Sequence, residues 1–195
     1  MHPIRRWALS AVVPAVAGLA SCATPLPEPI AGYTCCNLRS TQGWISSNNI
    51  QGGDLVPAGT PITIETLKRQ FYAYARLAGA EFGLRDDTAK TSEDTMRWLK
   101  RVVVVENPAA QIASWPGEVR SAIGAARVFV GMTRAQVAVS LGYPSAADTP
   151  DLTAAIWRYW TPVEDLPVDL KFDAEGRLAS LAGKASAVRT LELQR

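Results

Sequence analysis

From Val168 to Phe172 the chain alternates: Val168, Leu170 and Phe172 are apolar, and Asp169 and Lys171 between them are charged. A period of two marks a strand with one buried face. Asp173-Ala-Glu-Gly176 follows, with Asp opening and Gly closing a type I turn, so a hairpin into a strand at Leu178 is predicted. Upstream, Ile156-Trp-Arg-Tyr-Trp160 reads as another strand, with Trp157 and Tyr159 on one face and Trp160 on the other. Two helical stretches precede it. Val119, Ile123 and Ala126 recur at helical spacing over about Glu118 to Arg127. In VGMTRAQVAVSLGYP, Thr133 and Gln136 form a capping box, and Met132 and Val137 occupy the positions of a hydrophobic staple. Gly142 suits a left-handed C-cap and Pro144 prevents continuation. Every prominent residue of this stretch starts or stops one short helix, and the three-stranded sheet needs those helices as its cover.

The preceding region, Asn37 to about Val105, has a different rhythm. Ile62-Thr-Ile64, Gln70 to Ala75 and Glu81 to Leu84 are short β-rich runs punctuated by Gly and Pro. They predict a small antiparallel barrel or sandwich. Ser92 is placed as the cap of a helix, with Glu93 and Asp94 in its first turn, docking through Met96, Leu99 and Val102–Val105. Asn107-Pro108 and Trp115-Pro116 mark a boundary. The expected organisation is a β-rich domain over 33–106, a linker over 107–116 and an ααβββ domain over 117–195. Together they make an α+β protein. LVPAGTPITI resembles the turn and strand of bacterial SH3-like domains.

The N-terminus changes the picture. Arg5 and Arg6 precede a short apolar run, Trp7 to Gly18. At ~12 residues it falls short of the roughly 20 needed to span a bilayer and suits a signal peptide. Leu19-Ala-Ser-Cys22 resembles a bacterial lipobox, which implies a leader over 1–21 and lipidation of Cys22; the twin arginine hints at Tat export, but Arg6-Trp7-Ala8 lacks the fuller motif, so Sec export is expected. The alternative is an ordinary secretory cut after Ala17 that leaves Cys22 a thiol. Pro25, Pro27 and Pro29 then predict a semi-rigid polyproline tether over 22–32.

Charge and composition narrow the function. The whole chain carries +2, and losing Arg5 and Arg6 leaves basic and acidic residues equal in number. No basic footprint for nucleic acid remains. The sole histidine, His2, lies in the leader, so an imidazole-based dyad is excluded from the mature chain. No cofactor is expected.

The stretch from Val130 to Pro144 resembles the GMT-x-x-Q-V-x-x-x-L-G-x-P signature of the BamE family of outer-membrane assembly lipoproteins, also called SmpA or OmlA. Ile156–Trp160, Leu170–Asp173 and Gly176–Leu178 are similar to that family's strand landmarks. The resemblance covers about Val119 to Gly183. It implies two helices on a three-stranded antiparallel sheet, in a lipoprotein on the periplasmic face of the outer membrane.

Candidate chemistry is sparse. Adjacent Cys35 and Cys36 are a candidate disulfide. Asp86-Asp87 with Glu93-Asp94, and Glu164-Asp165, lack a metal-loop pattern and read as solvated charge. Trp157, Tyr159, Trp160 and Tyr143 are candidate protein-contact residues, because aromatics dominate interfaces. The expectation is a non-catalytic lipoprotein held to the membrane by its lipid, supporting outer-membrane protein assembly or envelope integrity. Its expected partners are envelope proteins, β-barrel assembly components among them. The alternative is a module that binds cell-wall glycan or peptide through the SH3-like half.

Overall fold

The computed structural model describes residues 23–194; the leader over 1–21 and Cys22 lie outside them. The β-rich half contributes β1 (Ala23–Thr34), β2 (Leu38–Thr41), β3 (Trp44–Ser46), β4 (Asp54–Val56), β5 (Pro61–Lys68), β6 (Tyr72–Leu77) and β7 (Ala80–Arg85). Helix α1 (Ser92–Val102) and the short β8 (Val103–Val104) complete it. These strands form one large, curled mixed sheet in the order β4-β2-β3-β7-β6-β5-β1-β8.

The meander β5-β6-β7 follows the alternation in the sequence. Ile62 and Ile64 are buried, as are Ala73, Ala75 and Leu77 at every second position of β6. Ala78 and Gly79, both at positive φ, make the two-residue turn between β6 and β7. The expected purely antiparallel barrel is corrected at one seam: β3 runs parallel to β7. Parallel pairing needs a long crossover. It is available because the chain leaves β3 at Ser46 and runs through β4, β5 and β6 before returning as β7.

The tether expectation is also corrected. Residues 23–34 form β1, paired with β5 from Ala23↔Lys68 to Tyr33↔Pro61, with an irregularity between Pro25 and Ile30. Alternate prolines place their missing N–H groups on the same side of an extended strand, so only that side loses donors. Over its proline-rich part β1 has a neighbour on one side alone, since β8 joins only at Tyr33 and Thr34.

Helix α1 is capped by Thr91, one residue before the expected Ser92, in a complete capping box with Asp94. Thr95, Leu99 and Val102 are buried at helical spacing. The apolar run then splits: Val103 is buried, whereas Val105 is 86% exposed.

The expected linker 107–116 contains a short helix, α2 (Ala109–Ser114). Beyond it come α3 (Gly117–Gly124), α4 (Arg134–Leu141), β9 (Ile156–Trp160), β10 (Pro167–Phe172), β11 (Leu178–Gly183) and α5 (Ala185–Leu191). The antiparallel sheet β11-β10-β9 buries Trp157, Tyr159, Val168, Leu170, Phe172 and Leu178 against Val119, Ile123, Val137 and Leu141 of the helices. The hairpin turn closes through Gly176 N–H to the Asp173 carbonyl at 3.1 Å. A second apolar core lies in the β-rich half with α1, and Tyr143 packs against both.

Candidate functional site

The stretch that dominates the sequence is consumed by structure. The Thr133 hydroxyl accepts from Gln136 N–H at 3.3 Å, and Gln136 Oε1 accepts from Thr133 N–H at 2.9 Å. Met132 and Val137 are both buried in the same core. Gly142 is the C-cap, but its φ of 78° and ψ of 176° lie outside the expected left-handed helical region, in a basin essentially restricted to glycine.

A helix leaves its last four carbonyls without intrahelical donors. Here the β-rich half supplies donors. Asn37 N–H donates to Val139 at 2.9 Å and Asn37 Nδ2 to Ser140 at 3.0 Å. Asn49 Nδ2 and Gln51 Nε2 both reach the Leu141 carbonyl, at 2.8 and 2.9 Å. Asn49 Nδ2 also reaches Tyr143 O at 2.7 Å, and the Tyr159 hydroxyl donates to Gly142 O at 2.8 Å. All three amide residues are buried. The C-terminus of α4 is therefore a hydrogen-bonded weld between the two halves.

Beside this weld the two halves enclose a cleft of about 580 Å³. Leu38, Ile45 and Val102 give it apolar lining, Trp98 and Arg101 of α1 form one wall, and Tyr143 and Pro144 face in from the loop after α4. The Arg101 guanidinium lies 5.6 Å from the centre of the Tyr143 ring. Arg39, half-buried on β2, lines this cleft and also a neighbouring hollow of about 440 Å³ that includes Trp44, Ile50 and Tyr72. Burial and the nearby charge of Arg127 push the Arg39 guanidinium below its ordinary pKa.

The candidate residues of the sequence do not converge on one site. Trp157 and Tyr159 are 2% and 1% exposed, so their assignment as contact residues is corrected: they share the face of β9 that closes the core. Burial, with Tyr143 nearby, holds the Tyr159 phenol well above its usual pKa. Trp160, on the other face, is half-buried and donates from Nε1 to Asp148 at 2.9 Å. Tyr143 alone of the four lines the cleft. Cys35 and Cys36 are joined to each other as a vicinal disulfide in the β-rich core.

Four of the six acidic candidates are engaged locally. Asp86 is buried and accepts from the Ser47 hydroxyl at 2.9 Å and from Thr88 N–H at 3.0 Å. Asp87 pairs with Arg85 and Ser46, and Asp94 closes the α1 capping box. Glu164 pairs with Lys184 at 2.7 Å.

Arg39, Asn37, Asn49 and Gln51 escape a reading of the sequence. They sit in the polar stretches NLRST and SSNNIQGG, whose composition marks only turns. No family model, curated protein or solved structure matches this chain.

Proposed function

We propose that this protein is a lipid-anchored accessory factor of the bacterial outer envelope, on the periplasmic face of the outer membrane, that works by binding and not by catalysis. One observation carries the reading. Residues 117–183 run as two helices and a three-stranded antiparallel meander, the arrangement that the resemblance implies, with the capped helix α4 inside the stretch that resembles the signature. The lipobox before Cys22 supplies the anchor in this reading, and a lipid that confines the protein to a surface raises its effective concentration against neighbouring envelope proteins. The β-rich half, an SH3-like arrangement in this reading, is fixed to the BamE-like half through the Asn37–Asn49–Gln51 weld, so the two act as one binding body.

Two measurements test it. The intact mass of membrane-extracted protein should exceed that of the polypeptide beginning at Cys22 by three acyl chains and a glycerol. Crosslinking in intact cells followed by affinity recovery should enrich β-barrel outer-membrane proteins. An unmodified mass removes the anchor, and recovery without envelope proteins removes the accessory role.

A second reading has its own observation. Trp44 is 39% exposed on the β-rich half, with Tyr72 and Tyr74 in edge contact at 5.7 and 6.0 Å. Such an aromatic surface suits stacking on a sugar ring, and enrichment of muropeptides in place of proteins would favour a cell-wall-binding module.

A further inference from the structure

The charges lining the cleft between the halves do not balance once internal pairs are removed. Two of its three carboxylates are paired with cations, Asp87 with Arg85 and Asp94 with Arg97 at 2.9 Å, while Asp86 accepts only from neutral groups of Ser47 and Thr88. Arg39, Lys90 and Arg101 line the same cleft and have no carboxylate partner among the described residues. Arg39 is the most constrained of them. It is half-buried with no hydrogen-bond acceptor among the described residues, and it is repelled by another cation, Arg127. A guanidinium taken partly out of water without an acceptor is costly, and an anion delivered to it recovers that cost.

The surroundings narrow the anion. Trp98 and Tyr143, both half-buried, line the same cleft as Arg39 above a buried floor of Leu38, Ile45 and Val102, so the ligand has an apolar part next to its charge. A planar guanidinium fork matches a carboxylate through two parallel hydrogen bonds. Asp86, which no cation pairs, disfavours a densely anionic surface such as a phospholipid leaflet, but the three unpaired cations outnumber it and accept one negative charge. A volume of about 580 Å³ falls in the range of small-ligand sites, room for a few residues of peptide.

We propose that this cleft binds a peptide segment that carries a carboxylate beside apolar side chains, with the carboxylate on Arg39 and the apolar side chains against Trp98 and Tyr143. Arg101, held over Tyr143, gives the bound carboxylate a second cation. The site stands on the geometry of the cleft and requires neither the lipid anchor nor an assembly machine.

The test is fluorescence anisotropy with the full chain in detergent. The probes are dye-labelled tripeptides, Gly-X-Y with X and Y drawn from Leu, Phe and Ala, each as the free C-terminal acid and as the amide. The acid should bind at least about tenfold more tightly than the amide, the factor expected of a charge-assisted pair. Arg39→Gln should remove most of that preference and leave residual amide binding unchanged, and a full preference retained in a folded Arg39→Gln variant overturns the proposal. Arg39→Lys should restore part of it, because the charge returns without the fork. Circular dichroism checks that each variant folds. Should Arg39→Gln fail to fold, Arg101→Gln in the last turn of α1 takes its place, with a partial loss of the acid preference expected. No acid-over-amide preference in any tripeptide overturns the proposal. So does displacement of the probe by phosphatidylglycerol added to the detergent micelles but not by unlabelled acid, which would assign the cations to lipid.

Discussion

Asn49 donates from Nδ2 to the Leu141 carbonyl at 2.8 Å, joining residues 92 positions apart in the chain. The same nitrogen reaches the Tyr143 carbonyl, and Asn49 Oδ1 accepts from Gln51 Nε2 at 2.9 Å. One buried amide thus ends a helix, orders a loop of the cleft and locks a second amide. Asn49→Ala removes the donor and leaves Tyr143 O without it, while Gln51 still reaches Leu141 O. The expected cost is about 2–3 kcal/mol, since a buried acceptor left unpaired loses its full desolvation energy. Urea denaturation checks it, and a loss within about 0.5 kcal/mol would show that water replaces the amide.

Gly142 faces the same weld. Its φ of 78° suits glycine, and an added Cβ would lie 2.8 Å from Asn49 Nδ2 and 2.9 Å from Asn37 O. Gly142→Ala should therefore cost about 3 kcal/mol, combining backbone strain with a clash against the clamp. Thr133→Ala, at the other end of α4, removes only a cap and should cost about 1 kcal/mol. Thermal melting of the two variants should rank them in that order, and the reverse order would place the critical constraint at the N-terminus.

The aromatic residues of β9 should separate by face. Trp157→Ala opens the core beside Phe172, its edge-packed neighbour at 5.0 Å, and should cost about 3–5 kcal/mol. Trp160→Ala loses a hydrogen bond to exposed Asp148 and should cost about 1 kcal/mol, with an unchanged circular dichroism spectrum. If Trp160→Ala instead unfolds the chain, Trp160 belongs to the core.

Acid should act first at ion pairs and caps. Hydrogen bonds from Arg158 at 2.7 and 2.9 Å hold the Asp169 carboxyl below its ordinary pKa. Asp94 is lowered to about 2, chiefly by Arg97, then by the Lys90 N–H and by the Thr91 cap. A depressed carboxyl contributes stability that is fully present above the unfolded value of about 4 and is lost as pH falls through the folded value. For Asp94 the window runs from about pH 4 to about pH 2. Asp169→Asn should flatten the fall in stability below about pH 4, measured by denaturation at stepped pH. An unchanged pH profile would show that the Arg158 pair contributes nothing.

The cysteine pair is expected to matter little to folding, because a bond between neighbours closes almost no loop. Cys35 and Cys36 are nevertheless 9% and 1% exposed, so the replacement residue decides the outcome. The Cys35→Ala, Cys36→Ala variant should stay within about 2 kcal/mol of the parent, whereas the double Ser variant should lose more by burying hydroxyls. Equal stability of the Ala and Ser variants would indicate that the hydroxyls find partners.

Residues close together in the chain determined much of this protein by themselves. The capping box at Thr133–Gln136, the turn at Asp173–Gly176 and the alternation of Val168, Leu170 and Phe172 are local rules, and the structure obeys each of them. Gly142 as a stop was legible too, although its conformation was not, because that depends on Asn37 and Asn49 arriving from elsewhere. The three prolines of β1 read as a tether because intrinsic preference is all a proline shows locally. Pairing with β5 made the segment a strand, and strand partners are a property of the whole sheet. The aromatic run of β9 announced two faces but not which one is covered; helices α3 and α4 decided that by packing on Trp157 and Tyr159. The cleft had no local signal at all. Arg39 on β2 and Arg101 on α1 share the β-rich half, and three buried amides that join the halves bring Tyr143 after α4 to them; that long-range closure exists only in the tertiary structure.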